Sequence, residues 1–186
     1  MPDRKLSVRP AQLSDHEKIV DYFLQSDKSF QTGMGVDPAK LPSRQEWLKR
    51  LDEDFLMEAD KKNFCYIIWL IDDIPSGHSS INKIIFGEEA YMHLHIWQTS
   101  LRQKGAGSAF VKLSIPYYFN TFRLKDLYCE PMATNPSPNK TLEKCGFEFV
   151  RSYDTIPGWI NFHQTVNRWH LTKERFDMLY AGELKI

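Results

Sequence analysis

The sequence predicts a single mixed α+β domain covering residues 1–186. Three observations lead there. Short apolar strands form a meander near the middle of the chain, strands and helices alternate only after it, and no linker, repeat or low-complexity tract divides the chain. Hydrophobic residues make up 42% and aromatics 13%, enough for a sizeable core. This mixed order fits an α+β or mixed-sheet α/β domain better than strict βαβ alternation.

The elements follow in turn. "LSVRP" reads as a first strand. Ser14 is a candidate N-cap for a helix with Ile19, Tyr22 and Phe23 at helical spacing. Glycines and prolines at Gly33, Gly35, Pro38 and Pro42 make "DKSFQTGMGVDPAKLP", Asp27–Pro42, an irregular loop. Ser43 caps a second helix with Trp47, Leu51 and Phe55 on one face. "NFCYIIWLID" is a buried strand, "DIPSG" turns the chain, and "HSSINKIIFG" returns. "AYMHLHIW" is a third strand, whose alternation puts His93, His95 and Trp97 on one face. A helix runs from about Ala106 to Ile115, where Pro116 should kink or end it. A strand in "LKDLYCEP" follows, then a short helix stopping at Gly146 and a strand. "HQTVNRWHLT" is the last strand and "KERFDMLY" the last helix.

Composition narrows the function. A net charge of zero disfavours a highly basic nucleic-acid binder. The longest apolar run, Ile67–Ile71, is too short to cross a bilayer, and "MPDRKLSVRP" carries no apolar signal-peptide region. Cys65, Cys129 and Cys145 are odd in number and lack zinc-type spacing. They read as reduced core thiols of a cytoplasmic protein, monomeric or homodimeric, without nucleic-acid or membrane partners.

The stretch "LRQKGAGSAFVKL", Leu101–Leu113, raises the chemical question. Backbone N–H groups at a helix start lack partners and favour an anion. Gly105 and Gly107 allow close approach, and Arg102 and Lys104 add positive charge. A phosphate or pyrophosphate is the natural ligand; an ordinary basic helix start is the alternative. A Walker loop is absent. A dinucleotide fingerprint would put its third glycine at Phe110, and the preceding strand ends too early, although Glu130 lies at a fitting separation.

"RQKGAG" resembles the R/Q-x-x-G-x-G/A loop of the GCN5-related N-acetyltransferase (GNAT) superfamily. "NPSPNKTLEKCGFEFV" is similar to its second motif, with Asn135, Glu143, Lys144, Gly146 and Phe147 at matching positions. The aminoglycoside 6′-acetyltransferase and siderophore lysine acyltransferase branch looks nearest. The resemblance implies the acyl-CoA N-acyltransferase fold: a mixed, mostly antiparallel sheet flanked by helices and splayed between the "HIW" and "LYCE" strands. It implies acetyl-CoA as cofactor, its pyrophosphate held at Arg102, Gln103, Lys104, Gly105, Ala106, Gly107 and Ser108. Backbone near Trp97 would pair with the pantetheine arm and supply the oxyanion donor. Asn135 and Asn139 join the cofactor side.

The implied reaction is direct attack of a neutral primary amine, from a small molecule, on the thioester within a ternary complex. An amine of reference pKa about 10.4 needs a base or water chain to lose its proton. Glu130, in "CEPMATN", matches the acidic residue proposed as base or amine anchor in that branch; a surface ion pair is its alternative. His95, favoured over His93, would assist; a packed strand histidine is the alternative. A metal on His93-x-His95 lacks a third ligand, so none is expected. Leu142 stands where many relatives carry an acid tyrosine, which leaves thiolate departure to water or to Tyr128. That substitution also supports a rival, a non-catalytic coenzyme A-binding module. A nicotinamide oxidoreductase is a remote third reading. Trp159 and the Lys28–Pro42 segment, with Phe30 and Met34, are candidates to wall the acceptor pocket.

Overall fold

The computed structural model describes residues 4–97 and 105–180. Among these, seven strands form one sheet: β1 (Leu6–Pro10), β2 (Phe64–Ile71), β3 (Ile74–Ile85), β4 (Glu89–Ile96), β5 (Asp126–Cys129), β6 (Glu148–Thr155) and β7 (Gln164–Thr172). Their spatial order is β1-β2-β3-β4-β5-β7-β6. Every pairing is antiparallel except β4 with β5. The helices are α1 (His16–Leu24), α2 (Lys28–Gly33), α3 (Arg44–Phe55), α4 (Ala106–Phe122), α5 (Pro136–Lys144) and α6 (Lys173–Tyr180).

The strongly apolar β2 is covered on both faces, as its near-continuous hydrophobic run requires. Ile67, Trp69 and Ile71 pack with Phe110, Val111, Ile115 and Phe119 of α4, while Ile68 and Leu70 pack with Ile19, Phe23, Trp47 and Leu51 of α1 and α3. Trp69 stacks on Phe110 and donates its indole N–H to Ser114 Oγ at 3.0 Å, so the first layer carries no orphaned indole.

The sheet splits at its only parallel seam among the described strands. β4 and β5 pair from Glu89↔Asp126 to Met92↔Cys129 and no further. The chain then drifts to β7: the Asn167 N–H donates to the Pro131 carbonyl at 3.0 Å and the Ala133 N–H to the Thr165 carbonyl at 2.9 Å. Pro131 has no N–H to continue the ladder towards β4. β4 runs on to Ile96, paired with β3. Gly77 makes that pairing possible, since a Cβ there would lie 2.6 Å from the His95 carbonyl oxygen.

Four local expectations are corrected. α1 starts at His16, after a 3-10 turn over Leu13–Asp15 closed by reciprocal Gln12 and Asp15 bonds, so Ser14 is not its cap. The Asp27–Pro42 segment is not wholly irregular: Asp27 accepts the Phe30 N–H and starts α2, and a 3-10 turn covers Pro38–Lys40. The hairpin turns at Asp72–Asp73, both left-handed, and Ile74 already belongs to β3. Pro116 does not end α4. Its ring lies on the half-exposed side, while Ile115, Tyr118, Phe119 and Phe122 stay buried; core packing outweighs one lost backbone bond. Ser43 does cap α3, in a reciprocal box with Glu46.

Candidate active site

The split opens a cavity of about 920 Å³. One end reaches the start of α4 and the side of α5, at Gly105, Gly107, Ser108, Asn135 and Thr141. The middle crosses Leu94, His95 and Glu130. The far end is aromatic, with Tyr22, Phe30, Met34, Trp47 and Trp159. Trp159, Phe30 and Met34, named from sequence as candidate walls of an acceptor pocket, line this cavity.

At the first end, Gly105 is the N-cap of α4 with φ +79°, a left-handed conformation that glycine adopts without strain. Among the described residues no side chain caps the helix. The N–H groups of its first turn, at Ala106, Gly107 and Ser108, therefore lack helical partners. A Cβ on Gly107 would touch Thr141 of α5 at 3.6 Å and Ile96 of β4 at 3.8 Å, so this turn is wedged between those elements. Arg102, Gln103 and Lys104, named from sequence, lie outside the described residues.

The β4 edge corrects one expectation. The Trp97 N–H donates to the Ser76 carbonyl at 3.0 Å, so it is already spent on β3. Because backbone groups alternate sides along an antiparallel ladder, His93 and His95 also turn theirs to β3, and Leu94 turns its own to the split. Leu94 is thus the better-placed backbone for an extended ligand or a developing oxyanion. The Trp97 indole donates to His78 Nδ1 at 2.8 Å.

Asn135 caps α5, its side chain accepting the Ser137 N–H at 3.3 Å, and it lines the cavity. Asn139 does not fit its expected cofactor role. Its amide donates to the Met132 and Asn135 carbonyls at 3.2 and 2.7 Å, and its oxygen accepts from Asn167 at 2.9 Å and Trp169 at 2.8 Å. All four bonds of an asparagine side chain are spent, two on the lead-in to α5 and two tying α5 to β7.

Glu130 sits where β5 ends. Its side chain is only 4% exposed. Arg168 of β7 donates through Nε to Oε1 at 2.7 Å, and the Tyr153 hydroxyl of β6 donates to the same oxygen. Arg168 also donates to the hydroxyls of Tyr153 at 2.7 Å and Tyr91 at 3.2 Å. The carboxylate is buried rather than on the surface, Arg168 is partly exposed, and both bonds fall on one oxygen. Burial and the adjoining carboxylate push Tyr153 up to about 12, so it remains a donor. Sequence reasoning did not find Arg168 or tie Tyr153 to this site.

The cavity's three histidines among the described residues stand on β3 and β4. His95 lines the cavity, its ring 4.9 Å from His78, 5.1 Å from Phe23 and 5.4 Å from Tyr22. Burial pushes His78 down to about 3 and His93 down to about 4, so both are neutral at physiological pH. With Nδ1 accepting from Trp97, neutral His78 carries its proton on Nε2. Glu130 and His93 both line the cavity at the split. Leu142 is fully buried in the core, and Tyr128 stacks on His170 at 4.6 Å outside the cavity lining, so neither position offers an acid to it. The cysteines are free, and burial pushes Cys65 and Cys145 up to about 12.

The acetyltransferase (GNAT) domain model matches residues 5–148. Among solved structures, an aminoglycoside acetyltransferase AAC(6′)-Ib in complex with coenzyme A and kanamycin is 14% identical, with TM-score 0.71 over 94% of this chain and 98% of that one. RimL, a ribosomal L7/L12 α-N-protein acetyltransferase bound to coenzyme A, is 15% identical, with TM-score 0.72 over 90% and 93%. A spermidine N-acetyltransferase from Vibrio cholerae, bound to coenzyme A and spermine, is 16% identical, with TM-score 0.72 over 92% and 97%. No curated protein sequence matches the chain. The split mixed sheet, the uncapped glycine start of α4 and the domain match over most of the chain lead to one conclusion: this protein belongs to the GNAT acetyltransferase family.

Proposed function

We propose that the chain transfers an acetyl group from acetyl-CoA to the primary amine of a small molecule, directly within a ternary complex. The observation that carries this reading is the single cavity running from the α4 start, across the β4–β5 split, into an aromatic pocket. The residues present fit the donor: the first turn of α4 offers unpartnered N–H groups to a pyrophosphate, and Asn135 and Thr141 flank it. The Leu94 backbone extends this strip along β4 towards the reacting centre. Acetyl-CoA supplies the thioester carbonyl that the amine attacks.

Glu130 receives or orients the amine. Arg168 and Tyr153 fix Oε1 and leave Oε2 as an acceptor at the cavity wall. His95 assists from the β4 side. A Leu94 N–H turned to the split is placed to stabilise charge on the carbonyl oxygen. With Leu142 buried in the position of the family tyrosine, the leaving sulfur takes its proton from water or departs as thiolate. The same substitution favours a second reading, a coenzyme A-binding module without turnover.

Calorimetric titration with acetyl-CoA, followed by thiol release in the presence of amines, tests both. Glu130→Gln is expected to lower turnover by about two to four orders of magnitude while acetyl-CoA binding persists. Near-normal turnover would remove Glu130 from the role of base. Saturable binding with no turnover on any amine would favour the module.

A further inference from the structure

The charges lining the cavity are lopsided. Among the described residues, Glu130 is its only carboxylate, and Arg168 and Tyr153 already hold it. Its cations are Arg50, Lys140 and Lys144. Lys140 and Lys144 stand on α5 at the end proposed for the cofactor. Arg50 stands on α3 at the aromatic end, its guanidinium 5.1 Å over the Trp159 ring. It makes no ion pair among the described residues.

A chain of ring contacts joins Arg50 to the split. His95 lies 5.1 Å from Phe23, Phe23 5.1 Å from Trp47, and Trp47 5.6 Å from Trp159. An acceptor reaching from the split to Arg50 runs beside aromatic side chains throughout. Each extra ammonium of a polycation would lose its water and meet no available carboxylate here, which is costly. A negative group would meet a guanidinium already stacked and oriented.

Resting on the proposed acetyl transfer, we infer that the acceptor is a single amine on an aromatic or apolar body, with a carboxylate at its far end paired to Arg50, and not a polyamine or aminoglycoside. In the reaction the amine nitrogen forms the new N–C bond, the C–S bond breaks, and the proton lost by nitrogen ends on the thiol.

The test compares thiol release from acetyl-CoA with four amines: 4-(2-aminoethyl)benzoate, its neutral methyl ester, spermidine and kanamycin. The expected kcat/KM of the carboxylate exceeds that of the ester by about fivefold. Both exceed spermidine and kanamycin by at least about tenfold. Arg50→Gln brings the ratio of carboxylate to ester to about one, Arg50→Lys restores part of it, and Arg50→Glu shifts preference towards spermidine. A ratio unchanged in Arg50→Gln, or spermidine or kanamycin matching the aromatic amines, overturns the inference. So does failure of both aromatic amines with a protein that binds acetyl-CoA. A folded protein that does not bind acetyl-CoA overturns the acetyltransferase reading itself.

Discussion

Acidification should destabilise the protein through two histidines that the fold keeps neutral. His78 is 1% exposed, its Nδ1 accepts the Trp97 indole, and burial pushes it down to about 3. His93, with Nε2 buried, is pushed down to about 4. An unfolded histidine titrates near 6.5, so below that pH the unfolded chain binds protons that the native state refuses. Folded values below the unfolded one mean that the stability is present above about pH 6.5 and is lost as pH falls towards 4. At pH 5 each histidine costs about 2 kcal/mol relative to pH 8, and the pair about 4 kcal/mol. For a domain of this size that lowers Tm by about 8–16 °C. The assay is urea or thermal unfolding at pH 8, 6 and 5, for the native protein and for His78→Gln with His93→Gln. Losing the Trp97 bond lowers the variant's stability at every pH and moves its intercept; the histidine titration moves its slope. Equal losses between pH 8 and pH 5 in the two proteins would refute the reasoning.

Three further outcomes test the scaffold around the cavity. Arg168→Met leaves the Glu130 carboxylate buried with Tyr153 alone and should cost about 3–5 kcal/mol, read by urea unfolding; a loss under about 1 kcal/mol would mean that the carboxylate is far better hydrated than its 4% exposure implies. Gly105→Val forces a β-branched residue to φ +79° at the head of α4 and should weaken acetyl-CoA binding at least about tenfold in calorimetry, although among the described residues a Cβ there meets no neighbour within 4 Å. Unchanged affinity would detach the α4 start from the cofactor. Asn139→Ala strips acceptors from Asn167 and Trp169 and should cost about 1–3 kcal/mol without weakening acetyl-CoA binding in the residual folded protein. An affinity loss beyond that of the stability change would return Asn139 to the cofactor side.

The legible parts of this chain are those whose cause is local. A glycine pair before an apolar helix, a serine just before a helical apolar pattern, and period-two strands each state their structure within one turn or one hairpin. They led correctly to the α4 start, the Ser43 cap of α3 and the β4 face with His93, His95 and Trp97. The misreadings arose where tertiary packing decides. Pro116 reads locally as a helix stop, yet the buried Ile115–Phe122 face carries α4 past it. The Trp97 N–H looks available until the register with β3 pairs it with Ser76.

Glu130 shows most sharply why a site cannot be assembled from local signals alone. Its motif marks the residue, but the partners that decide what it can do lie 38 and 23 positions later, on β7 and β6. They reach it only because β7 inserts between β5 and β6 in the sheet, an order that no short-range pattern encodes. The insertion has two consequences at once. It draws the chain after Cys129 away from β4 and so opens the split, and it brings Arg168 under the carboxylate that faces the split. The cavity and the neutralised charge on its wall therefore share one structural cause. A carboxylate committed in this way can still accept one ammonium proton through Oε2, but it cannot also gather the further charges of a polycation.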